Sequence, residues 1–138
     1  MSGELAGRRL LVVGGGSGIG QATVRLAGAR GAALAVTVQT EAERAAVQAE
    51  QPGAKVAILD LTRRATVEPT LAGLTAALGG LDGMVYCGGM ALRTPFGSMT
   101  DAEWDRLMEL NLTAGMRVLR AVLPALEASS AMPGAVII

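Results

Sequence analysis

The chain contains no histidine, one cysteine, one lysine, and a single tryptophan, tyrosine and phenylalanine in 138 residues. Without histidine, imidazole acid–base catalysis and histidine-ligated metal centres are excluded, and no metal site is expected. Cys87 has no partner for an intrachain disulfide, which fits a reducing cytoplasm. Twelve basic and twelve acidic side chains cancel, so net charge draws the chain neither to nucleic acid nor to an anionic membrane. No apolar run reaches the roughly 18 residues a membrane span needs. Gly79, Gly80, Asp82 and Gly83 break the longest candidate. The apolar stretch Leu10–Val13 behind Arg8-Arg9 is too short for a signal peptide. Apolar residues, by contrast, make up 51% of the chain and mean hydropathy is +0.43, enough for one domain whose strands are buried on both faces.

Glycine is abundant, and its placement is specific. Gly14-Gly15-Gly16-Ser17-Gly18-Ile19-Gly20 follows the apolar run Leu10–Val13 and precedes a helical pattern from Gly18 to Arg30. A strand, a glycine turn and a helix start build an anion site, because unpaired N–H groups and the helix dipole meet there. Such a turn can also merely join a strand to a helix. The order of elements favours a phosphate cradle, with Gly14, Gly16, Ser17, Gly18, Ile19 and Gly20 against a dinucleotide.

Strands and helices then alternate. Leu34–Val38, Lys55–Leu59, Met84–Tyr86 and 135–138 read as strands two to five. Helices are expected from the Thr40/Glu43 capping box to about Glu50, from about Thr66 to Leu78, and from the Thr100/Glu103 capping box onward. Pro69 fits only near a first turn, Pro124 ends or kinks the last helix, and Pro133-Gly134 turns the chain into strand five. This alternation implies an α/β protein with a Rossmann-type doubly wound parallel sheet, strand order 3-2-1-4-5 in three αβα layers, and ligand at the carboxyl ends of strands 1 and 4. Along the long helix Trp104, Leu107, Met108, Asn111, Gly115, Val118, Leu119 and Val122 share one stripe. Trp104 and the methionines are expected in the core. Asn111 is a polar amide on that stripe, either braced structurally or part of a polar site.

The glycine spacing G-x-x-x-G-x-G resembles the short-chain dehydrogenase/reductase family, although Val13 stands where the family usually places a threonine whose hydroxyl braces the turn. The resemblance continues at Asp60-Leu61-Thr62, whose Asp side chain and following N–H would meet the adenine; helix capping is the other reading of Asp60. It continues at Tyr86-Cys87-Gly88-Gly89, in place of the family's Asn-Asn-Ala-Gly, whose Tyr86–Gly88 backbone would approach a ribose. Cys87 itself reads as a structural thiol. Glu109-Leu110-Asn111-Leu112-Thr113 resembles the helix segment carrying the family's active-site asparagine, which distorts the helix and holds a water in the proton relay. At the end of strand 2, Gln39 and Thr40 offer hydrogen bonds to a ribose or its phosphate but neither an acid nor a base, a slight lean to NADP over NAD.

What the resemblance implies is hydride transfer between nicotinamide and a carbonyl or alcohol substrate. The family's Tyr-x-x-x-Lys is absent: Met90 stands four residues after Tyr86, the only tyrosine. The proton donor and its partner serine are therefore expected beyond Ile138, with the 138 residues a cofactor-binding part, inactive alone. A non-enzymatic dinucleotide-binding sensor or partner module is the alternative. The resemblance also implies a cytoplasmic homo-oligomer, and an uncovered last strand should promote self-association of the isolated chain.

Overall fold

A computed structural model describes residues 3–131 and 134–137, the last four as backbone only. Its elements are β1 (Arg9–Val13), α1 (Gly18–Ala29), β2 (Ala33–Val38), α2 (Glu41–Glu50), β3 (Lys55–Ile58), α3 (Arg64–Leu78), β4 (Gly83–Tyr86), α4 (Asp101–Met108), a π-helical segment Glu109–Thr113, α5 (Ala114–Glu127) and β5 (Gly134–Ile137). Five parallel strands form one sheet in the order β3-β2-β1-β4-β5, as the alternation predicts. Ile138 and Pro133, assigned above to the last strand and its turn, lie outside the described residues.

Alternation along β1 explains the layering. Leu11 and Val13 point into a core shared with Val67 and Leu71 of α3 and Val118 and Val122 of α5. Val12 points the other way, into a core with Val24 and Ala27 of α1 and Val47 of α2. All three are at most 1% exposed, because β1 is central and covered on both faces. At the opposite end from the glycine turn, Asp82 is 6% exposed and fully engaged. Arg9 donates to it from its backbone N (2.9 Å), Nε (3.0 Å) and Nη2 (2.7 Å), and Ser129 Oγ donates at 2.7 Å. These bonds hold its carboxyl well below the usual carboxylate range.

Three expectations need correction. The helix after Thr100 is not continuous: it changes from α4 through the π segment to α5. The extra residue in a π turn shifts the helical phase by about 100°. Leu110 therefore packs on the core, while Trp104 (49% exposed), Met108 (36%) and Asn111 turn outward. Second, Pro124 does not end the helix but lies inside α5, which runs on to Glu127; third, α3 begins at Arg64 rather than at about Thr66, placing Pro69 in its second turn. Both prolines are exposed, so the carbonyl each leaves without an N–H partner can be met by water. Glu109, at the start of the π segment, accepts from Arg64 of α3 (2.8 Å) and Arg117 of α5 (3.0 Å).

Candidate functional site: a dinucleotide groove

A groove opens at the carboxyl ends of β1, β2 and β4. Gly14, Gly16, Ser17, Gly18, Ile19 and Gly20 form one wall, Thr37, Val38 and Gln39 the next, and Leu59, Leu61 and Cys87–Gly89 the floor and far side. Gly14 has φ +80°, a conformation that favours glycine, and lies against the Cys87–Gly88 backbone. Gly20 brings α1 so close that a Cβ there would overlap the Gly14 carbonyl oxygen. The turn is thus compact because two backbones touch it from either side.

The expected brace at position 13 is missing, and the neighbouring strand supplies it. Thr37 Oγ1 accepts from Gly14 N (3.1 Å), and Thr37 O accepts from Gly15 N (2.9 Å). Thr37 is 2% exposed, the one polar residue in an otherwise apolar β2. That isolated hydroxyl was the signal for it in the sequence.

The start of α1 suits an anion. Ser17 is its N-cap with extended backbone (φ −155°, ψ 167°), its side chain makes no capping bond, and no acid lies in the first turn. The first-turn N–H groups are therefore not satisfied by a side-chain cap, the arrangement in which helix N-termini take phosphate.

A second recess continues from the groove through Gln39, Leu59, Leu61 and Gly89, and adds Thr40, Asp60, Thr62, Arg106 and Leu110. Asp60 Oδ1 accepts from Thr62 N (2.9 Å) and Thr62 Oγ1 (2.7 Å). These bonds, with smaller contributions from Arg63 and Arg106, hold the Asp60 carboxyl below its ordinary range. Asp60 caps no helix: the N-cap of α3 is Arg63. Leu61 is 8% exposed and lies beneath Gly88.

Tyr86 does not face the groove. It is 1% exposed, and its hydroxyl donates to Leu110 O at 2.7 Å. Burial pushes its phenol up to about 12. Its side chain supports the floor from below, and Cys87 and Gly88 carry the strand's contribution to the lining. The Cys87 thiol is part-buried and raised by that burial.

Asn111 stands at the rim rather than in the core. Its Oδ1 accepts from Met90 N (2.9 Å) and its Nδ2 donates to Met90 O (2.8 Å). The amide thus fixes the segment that leaves β4, and the π distortion turns it toward that segment. Sequence reasoning missed Glu43, Arg106 and Thr37 as lining or bracing residues of this groove. Among the described residues no group of acids and cysteine could hold a metal.

With this geometry in view, comparison with known proteins is specific. The family model for short chain dehydrogenases matches residues 8–138. Human L-xylulose reductase is 35% identical over 133 residues, covering 96% of this chain and 52% of that protein. A short-chain dehydrogenase/reductase structure from Brucella melitensis superposes with TM-score 0.84 at 31% identity, over 91% of this chain and 54% of the other. One from Mycobacterium smegmatis gives TM-score 0.84 at 28% identity, over 94% and 57%. The chain belongs to the short-chain dehydrogenase/reductase family, whose members bind NAD(P). It spans about half the length of the curated relatives it matches.

Proposed function

We propose that these residues form the cofactor-binding half of an NAD(P)-dependent oxidoreductase acting on a small carbonyl or alcohol substrate. The observation that carries this reading is one continuous groove running from the uncapped start of α1 past the end of β2 to Asp60 and Leu61. Its lining fits each part of a dinucleotide. The α1 N–H groups and the close-set Gly14–Gly20 turn receive the pyrophosphate. Gln39 and Thr40 lie where a ribose would sit, Asp60 and Leu61 bracket an adenine, and the Cys87–Gly88 backbone faces the second ribose. The bound nicotinamide would supply or accept the hydride.

The chain's own residues do the holding. Thr37 keeps the turn closed on β2. Asn111 fixes Met90, and with it the segment that begins the substrate side. Proton transfer is not available from Tyr86, whose hydroxyl is buried and committed to Leu110. Lys55 lies on β3, which β2 and β1 separate from β4. We therefore assign the proton donor to residues other than these.

No helix among the described residues is long and apolar enough to cross a membrane. We propose a cytoplasmic protein that self-associates through the helix carrying Asn111, where Leu112 of the π segment (60% exposed) and Met116 (49%) and Leu123 (44%) of α5 present an apolar face. Titration of the full-length protein with NADH and NADPH, followed by nicotinamide fluorescence, tests the central reading. Binding of at least one coenzyme, displaced by the oxidised form, is the expected result. A folded protein that binds neither would overturn it.

A further inference from the structure

The end of β2 lacks an acid in its own sequence, yet a carboxylate is delivered there. In the box that starts α2, Thr40 Oγ1 accepts from Glu43 N at 3.2 Å. Glu43 does not complete the box on Thr40 N. Its Oε2 reaches one residue further and accepts from Gln39 N at 2.8 Å. This places the carboxylate beside Gly16, close enough that a Cβ on Gly16 would collide with it. Glu43 is half-buried and lines the groove together with the glycine turn and Gln39. It carries the only charged side chain among the described residues lining that groove. Of the cations nearby, Arg44 pairs with Glu41 at 2.7 Å, and Arg106 lies in the adjoining recess with Thr40 and Asp60.

A carboxylate in this position acts in two opposed ways. It accepts a hydrogen bond from a ribose hydroxyl, and the charge strengthens that bond. It repels a phosphate on the same oxygen, beside a glycine turn where the lining holds no cation, Arg106 lying in the adjoining recess. Building on the dinucleotide reading above, we propose that Glu43 selects NAD(H) over NADP(H) by binding the free 2′-hydroxyl of the adenosine ribose. Gln39 and Thr40 alone would lean slightly to the phosphorylated coenzyme; Glu43, four residues later, reverses that balance.

The test is a paired titration of full-length protein with NADH and NADPH, using Glu43→Gln and Glu43→Asp. Glutamine keeps an oxygen for the Gln39 N–H, removes the charge and turns the second oxygen into an NH2 donor. Wild type is expected to bind NADH about tenfold to a hundredfold more tightly than NADPH, the range of one hydrogen bond to a charged group. Glu43→Gln is expected to narrow that ratio from both sides, weakening NADH and strengthening NADPH. Glu43→Asp, whose shorter side chain keeps the charge, should retain discrimination against NADPH. Circular dichroism confirms that each variant is folded. Equal affinities in wild type, or a ratio unchanged in Glu43→Gln, would overturn the role of Glu43 while leaving the dinucleotide site intact. Failure of folded wild type to bind either coenzyme would instead remove the reading on which the proposal rests.

Discussion

Thr37 Oγ1 accepts the Gly14 N–H at 3.1 Å, so the first glycine of the phosphate turn is braced from the next strand rather than from its own. The bond ties the loop to the buried middle of the sheet. Thr37→Val keeps the shape of the side chain and leaves the Gly14 N–H without its acceptor. Chemical denaturation should show a loss of about 1–2 kcal/mol. Coenzyme affinity should fall with it, and Thr37→Ser should recover most of both.

The Tyr86 hydroxyl occupies a carbonyl in the π segment, which makes it structural. Tyr86→Phe is expected to cost about 1 kcal/mol in stability. It should leave turnover of the full-length enzyme within a few-fold of wild type, against the much larger loss that removing a general acid causes. The folded phenol is raised to about 12 from its ordinary 10.0. Its contribution to stability is therefore complete below pH 10 and is lost as pH rises toward 12. Absorbance of phenolate at alkaline pH should accordingly appear together with unfolding.

The Arg9–Asp82 pair predicts the behaviour in acid. The Asp82 carboxyl is depressed in the folded state, so its stabilisation is present above the ordinary carboxylate range and declines as pH falls through and below it. Asp82→Asn removes the counter-charge of the Arg9 guanidinium and the acceptor for Ser129 Oγ, and should lower stability at neutral pH in chemical denaturation. The variant's stability should also change less with pH in the acid range than that of wild type.

Cys87 serves as a reporter on the groove. Its thiol is raised by burial, so a disulfide reagent should label it slowly at neutral pH and faster as pH increases. Saturating coenzyme should slow that labelling several-fold, because Cys87 lines the groove. Labelling that bound coenzyme leaves unchanged would place the ligand elsewhere.

The fold was legible because alternation and composition agree. Leu10–Val13 is an uninterrupted apolar run, Leu34–Val38 is apolar but for Thr37, both are closed by turn residues, and the glycine turn stands between the first strand and its helix. The lining of the candidate groove was legible where backbone makes it, at Gly14–Gly20, and where the Asp60-Leu61-Thr62 segment adjoins it. It was less legible where side chains arrive from another element. Thr37 works across a strand boundary, and Glu43 reaches back along its own helix, so neither is visible from the residues adjoining the groove. Asn111 stood out for its polarity, but a period of 3.6 carried through a π turn misplaced it and Trp104 by one residue of phase.

Asp82 immediately precedes β4 and Arg9 starts β1, while the groove lies at the far ends of the same strands. The fastening of the sheet and the recognition of a ligand are thus separated by the length of a strand. On the proposed reading, substitutions at Gln39, Glu43 or Arg106 alter which molecule is held without disturbing the Arg9–Asp82–Ser129 bonds. Such an arrangement gives a lineage freedom to change its coenzyme or substrate in small steps, each starting from a protein that still folds.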